Sequence, residues 1–122
     1  MRAVIIGAVT LSAIALGACT PSRPSAKVAM QLAKDAAPLM SLCPEPQGID
    51  PSRWPLSLTT AGVDSAYIGH GGLYIETDRD YVQESGVFVP CDAKSFVADP
   101  ITGEDPVYLK VADGVFTYYI AG

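Results

Sequence analysis

What this chain can fold into is limited first by where its longest apolar run stops. Ala3 to Leu16 is apolar apart from Gly7, Thr10 and Ser12, and it comes after a short positive start from Arg2 and the chain's amine. Its 14 residues match the apolar core of a secretory signal. As a helix the run would reach about 21 Å at ~1.5 Å per residue. A bilayer's hydrocarbon layer is about 30 Å thick and asks for about 20 apolar residues. The segment reads as a signal rather than a permanent span, so the folding unit is the remainder of the chain.

The run closes on Leu16-Gly17-Ala18-Cys19, which resembles the lipobox of bacterial lipoproteins: Leu, two small residues, then Cys. The resemblance implies diacylglycerol on the Cys19 sulfur, cleavage between Ala18 and Cys19, and an acylated (palmitate-bearing) new N-terminus. Several acyl chains, at about 0.8 kcal/mol per buried methylene, hold a soluble domain firmly to a bilayer. The alternatives are an ordinary cleaved signal or an uncleaved anchor. In this family an Asp after the Cys is an inner-membrane retention cue. Thr20 stands there instead, which implies the outer membrane, facing the periplasm, in a host that has one. The expected organisation is a signal peptide over residues 1–18, a lipidated Cys and flexible tether over 19–25, and one small domain over 26–122.

Removing the first 18 of the 122 residues leaves 104, with Cys43 and Cys91 as the remaining unmodified cysteines. In an exported domain of this size an even pair reads as one disulfide. Free thiols and metal ligands are the alternatives, and zinc lacks further His or Cys at ligand spacing. Charge is uneven. Thr20 to Ala61 holds four basic and three acidic residues, whereas Gly62 onward holds three basic and ten acidic. Nucleic acid is not an expected partner, because phosphate binding needs clustered Lys and Arg.

Ser25 suits the N-cap of a helix over "AKVAMQLAKDAA". Val28, Ala29, Leu32, Ala33 and Ala36 share one face of it. Pro38 should end or kink it, with a short continuation toward Cys43. Four prolines and a glycine in "CPEPQGIDPSRWP" forbid regular structure over most of that loop, and Trp54 should cap the core or line a groove, with the core role favoured. From Leu56 the pattern reads as strands. "LSLT" alternates, and "GLYIET" and "GVFVP" are β-branched and aromatic. Leu73–Thr77 and Tyr81–Val89 are expected to pair across a turn at "DRD", with a bulge at Glu84-Ser85-Gly86. "SFVA" is a weaker strand candidate, and "DPITGEDP" a loop. "PVYLKVADGVFTYYI" is a hairpin around Asp113-Gly114. In it Val107, Leu109 and Val111 are expected to meet Phe116, Tyr118 and Ile120 in the core.

His70 is the only histidine and the natural acid–base candidate, with Asp64, Ser65 and Glu76 near it in sequence. "HGG" is similar to the oxyanion loop of α/β-hydrolases, but no G-x-S-x-G elbow accompanies it. Flanking glycines mark a tight turn more simply. Asp78-Arg79-Asp80 and Asp99 to Asp105 lack the spacing of a calcium loop. Ser85-Gly86-Val87-Phe88 resembles the Ser-Gly-x-x-Tyr loop that membrane-bound lysozyme inhibitors present to the lysozyme cleft. Phe88 stands where Tyr would be, and the family's Trp-x-Lys-Gly stretch is absent.

The chain therefore reads as an α+β domain: one N-terminal helix packed on a small antiparallel β-sheet, ending in a C-terminal hairpin and stapled by Cys43 and Cys91. The expected role is that of a lipid-anchored envelope protein without catalysis, cofactor or metal. It would bind the membrane through Cys19, and an envelope protein as partner. Inhibition of an exported enzyme through Ser85-Gly86 and hydrolysis through His70 are the alternatives.

Overall fold

The computed structural model describes residues 21–98 and 105–122. The segment read as a signal, Cys19 and most of the "DPITGEDP" loop lie outside the described residues.

Helix α1 spans Ala26–Asp35. The Ser25 Oγ accepts the Val28 N–H at 3.2 Å, which satisfies one of the amides a helix start leaves free. Ala29, Leu32 and Ala36 form its buried stripe. Ala29 and Ala36 are fully buried, and small side chains there let the helix lie close over the sheet. Val28, expected on that stripe, is 47% exposed, because it sits roughly 80° from the stripe's centre at 3.6 residues per turn. Past Ala36 the chain continues as a 3-10 turn, Ala37–Leu42, with Pro38 near its start and Leu39 buried.

The next loop contains a two-residue strand β1, Gln47–Gly48, and a 3-10 turn, Pro51–Arg53, capped by Asp50. Trp54 packs against the core and donates its Nε1–H to the Ile49 carbonyl at 2.9 Å. "LSLT" is not a strand. Leu56–Thr60 is a single helical turn, α2, in which Leu58 is buried and Leu56 points to solvent. Its end is a Schellman motif. Gly62, at φ +79°, donates to Thr59 O, and Val63 donates to Leu58 O. Alternation over four residues is a coincidence of two leucines, only one of which reaches the core.

Strands β2 (Ser65–Gly69), β3 (Gly72–Asp80), β4 (Gln83–Pro90), β5 (Val107–Ala112) and β6 (Val115–Ile120) complete a six-stranded sheet ordered β1-β2-β3-β4-β6-β5. Every neighbouring pair is antiparallel. "DRD" lies within β3, and the β3–β4 turn is at Tyr81-Val82. The bulge lies opposite the expected place. Glu76 pairs with Gly86 and Asp78 with Ser85, so Thr77 of β3 is the extra residue. "SFVA" forms no strand.

The C-terminal hairpin forms as expected around Gly114, at φ +73°. Its two apolar sets nevertheless lie on opposite faces. Directly paired residues share a face. Leu109 pairs with Thr117 and Val107 with Tyr119, while Phe116 and Tyr118 face Lys110 and Tyr108. The turn sets register, and a one-residue offset exchanges faces.

One face of the sheet packs under α1, where Ala66, Ile68, Leu73, Ile75 and Val87 meet Leu32, Leu39 and Leu58. Cys43 and Cys91 are joined, with Cα atoms 5.7 Å apart and a sequence separation of 48. The bridge ties the end of the 3-10 turn to the exit of β4. Closing such a loop is worth about 4 kcal/mol at most in the chain-entropy model.

Residues 21–25, within the segment read as a tether, lie against this same side of the domain. Pro21 is buried, the Ser22 N–H donates to Asp78 Oδ2 at 2.7 Å, and the Arg23 guanidinium lies 5.8 Å from the Tyr119 ring centroid. Burial lowers the Arg23 pKa, while the ring's proximity opposes that shift.

Candidate functional site

Among the described residues no helix lies over the opposite face of the sheet, yet its centre is dry. Tyr118 and Phe88 are fully buried, roofed by neighbouring rings. Tyr67 stacks on Tyr74 across β2 and β3, with centroids 5.0 Å apart and planes 8° from parallel. Tyr74 meets Phe88 and Tyr118 at 4.8 and 5.0 Å. Phe96, from the segment after β4, closes on Phe88, Tyr108 and Phe116 at 4.9 to 5.1 Å. Tilted and edge-on pairs of this kind add about 0.5–1.5 kcal/mol each beyond area burial.

Beside the rings sits an ion cluster. Glu76 and Glu84 are only 3% and 6% exposed. The Arg79 guanidinium bridges them: Nη2 donates to Glu76 Oε2 at 2.6 Å and to Glu84 Oε1 at 2.9 Å, and Nε reaches Glu76 at 3.1 Å. Glu84 Oε2 accepts the Tyr67 hydroxyl at 2.6 Å and also the Tyr118 hydroxyl. The bulge at Thr77 makes this possible. In an unbroken strand residues 76 and 79 would point to opposite faces; the extra residue puts both on the open face, with Arg79 directly opposite Glu84.

Two carboxylates share one cation. Burial, then the neighbouring Glu84, push the Glu76 carboxyl above its ordinary 4.5, against the pull of Arg79. Hydrogen bonding to Glu76 raises Arg79 in turn. Burial first, then the bond to Glu84, drive the Tyr67 and Tyr118 hydroxyls upward, so both stay neutral donors. Tyr74 and Tyr108 are bonded to each other at 2.7 Å and are likewise raised by burial. A buried charge that is paired and hydrogen-bonded on every side is a tolerable one.

Gly86, paired with Glu76, and Gly72, at the other end of β3, admit no side chain. A Cβ on Gly86 would collide with the Ile75 carbonyl, and one on Gly72 with the Val89 carbonyl. At the far edge the ring cluster opens into a groove of about 390 Å³ lined by Phe96, Val97, Ala98, Tyr108, Leu109, Lys110 and Phe116. Val97 and Leu109 are its exposed apolar rim.

No protein-family model, curated protein or solved structure matches this chain. The reading of the site therefore rests on its geometry.

The residues singled out in the sequence fall elsewhere. His70 is exposed at the tip of the two-residue turn between β2 and β3. Its backbone carbonyl accepts the Tyr74 hydroxyl at 3.1 Å, and among the described residues no side chain is hydrogen-bonded to its imidazole. Ser85 and Gly86 are not a presented loop: both are buried inside β4, with Val87 and Phe88 fully buried after them. That segment has no surface to offer an enzyme cleft. Asp78 accepts the Ser22 and Arg79 amides, and Asp105 accepts those of Ala121 and Gly122. These carboxylates serve as backbone ties. Among the described residues no group of three or more His, Cys, Asp and Glu is placed to hold a metal. Nothing in the sequence signals that Glu76, Arg79, Glu84 and the tyrosines around them form one cluster.

Proposed function

We propose that this chain is a lipid-anchored cell-envelope protein that acts by binding or structural support. Cys19 carries the anchor, and the aromatic groove at the β5 edge is the contact region for an envelope partner. The observation that carries the reading is the Cys43–Cys91 bridge in a chain whose N-terminal segment ends on Leu16-Gly17-Ala18-Cys19. Disulfides persist outside the cytosol, so both features ask for the same compartment.

The open face supports binding over chemistry. Both oxygens of Glu84 are engaged, Glu76 is clamped by Arg79, and His70 stands apart from them at the far end of β3. The groove beside them offers apolar surface with one cation, Lys110, at its rim. That is the pattern of a contact surface with a few polar guides. A bilayer anchor adds high local concentration to whatever that groove holds. Thr20 after the anchor favours the outer membrane of a two-membrane host.

Labelling cells with a palmitate analogue tests the anchor: wild type takes the label and Cys19→Ala does not. A photo-crosslinking residue at Val97 tests the groove. A discrete crosslinked envelope protein, lost when Leu109 is replaced by Asp, supports the reading, and the same adducts from a probe at exposed Ala61 on α2's far end argue against it.

A further inference from the structure

Ser22 lies three residues after Cys19 and is bonded to Asp78 at 2.7 Å. Three residues span about 11 Å at most when fully extended. If the anchor is on Cys19, the acyl chains must leave the protein within that reach of Asp78. Asp78 is itself three residues from the β3–β4 turn, about 10 Å along a strand. With Ser22 tied to Asp78, an anchor on Cys19 leaves the domain little room to stand off the surface, and the end of the sheet nearer to that tie is the Tyr81-Val82 end.

That end is built unlike the rest of the surface. Tyr81 is 92% exposed and Val82 67%, side by side at the hairpin tip. Tyr81 has φ +57° and is the only described residue other than glycine in the left-handed region. A bulky side chain there is strained in a way that glycine would avoid. The turn is nonetheless held: Arg79 Nη1 donates to the Tyr81 carbonyl at 3.1 Å, which links the tip to the buried ion cluster. A strained, braced turn that displays an aromatic and an aliphatic side chain suits a membrane interface, where an apolar ring with a polar hydroxyl spans the boundary.

We propose that the Tyr81-Val82 tip inserts into the headgroup and upper acyl region of the bilayer that holds the lipidated Cys19, setting the orientation of the domain on the membrane. The inference rests on the lipid-anchor reading. Asp78 and Asp80 lie just before the tip, and Arg79 between them is paired with Glu76 and Glu84, so the favoured surface is zwitterionic rather than anionic.

The test uses the lipidated protein in phosphatidylcholine vesicles whose acyl chains are brominated near the headgroup. Tyr81→Trp is compared with wild type, whose only tryptophan is Trp54, and with Met30→Trp on the outer face of α1. Subtracting the wild-type emission isolates the introduced indole in each variant. The indole of Tyr81→Trp is expected to be quenched at least twofold and blue-shifted, and that of Met30→Trp to be unquenched. An unquenched indole in Tyr81→Trp, or quenching in Met30→Trp alone, overturns the proposal. Intact mass of the same sample separates the two claims. Without acyl mass on Cys19 the anchor reading fails and the tip proposal with it. With acyl mass and an unquenched indole in Tyr81→Trp, only the tip proposal fails.

Discussion

The two faces of the sheet bury comparable side chains by different means. Under α1 the core is aliphatic, and shape does the work: Leu73, Ile75 and Val87 meet a helix whose alanines let it come close. Those contacts are non-directional and have no polar partner to lose. The open face has no helix over it among the described residues. It stays dry because its rings roof one another and because its buried acids are satisfied by Arg79, Tyr67 and Tyr118. A bare sheet face can thus be a second core, but one in which each polar member depends on the others. The disulfide belongs to the first face, and the groove lies at the edge of the second.

The largest effects should come from testing whether the open face is a core at all. Phe88→Ala is expected to lower stability by about 3–5 kcal/mol, as large as Leu73→Ala on the helix face. A loss below about 1 kcal/mol in urea unfolding would mean that the rings are surface groups. Cys43→Ser with Cys91→Ser should cost about 4 kcal/mol at most, read as a fall in the thermal midpoint. Intact mass before and after reduction checks the bridge itself.

Breaking the ion cluster on one side comes next. Glu84→Ala should cost about 3 kcal/mol, because it strands two buried hydroxyls and weakens the hold on Arg79. Combining Glu84→Leu with Tyr67→Phe and Tyr118→Phe should recover most of that, since removing all partners leaves no buried donor unpaired. A triple variant as unstable as Glu84→Ala would show that the polar contacts themselves stabilise the fold.

The smallest effect is in pH. A carboxyl whose folded-state pKa is raised binds its proton more tightly in the native state, so stability from Glu76 is present at low pH and declines as pH rises through that raised value. Wild type is therefore expected to lose a little stability between the ordinary glutamate value of 4.5 and neutrality, and Glu76→Gln to flatten that slope. A slope of opposite sign at Glu76, seen as a carboxyl shift titrating below 4.5, would mean that Arg79 outweighs burial.

Much of the scaffold is legible in the sequence. Ser25 capping α1, the Asp113-Gly114 hairpin, the pairing of the "GLYIET" and "GVFVP" strands and the Cys43–Cys91 bridge all come from local chemistry or from an even cysteine pair. The Schellman end of α2 is also written in Ala61-Gly62-Val63, but alternation at Leu56 and Leu58 hides it. The candidate site is not legible. Period-2 counting puts Glu76 and Arg79 on opposite faces, and only the unpaired Thr77, imposed by β4, brings them together.

The chain's local code determined the apolar run ahead of Cys19, the amphipathic helix, the glycine turns and the number of cysteines, because each depends on neighbours within a few residues. Tertiary structure decided which face Phe116 and Tyr118 occupy, where the bulge falls and how two buried carboxylates, a half-exposed guanidinium and two hydroxyls come together. Those outcomes depend on register between distant strands, where a shift of one residue reverses every side chain.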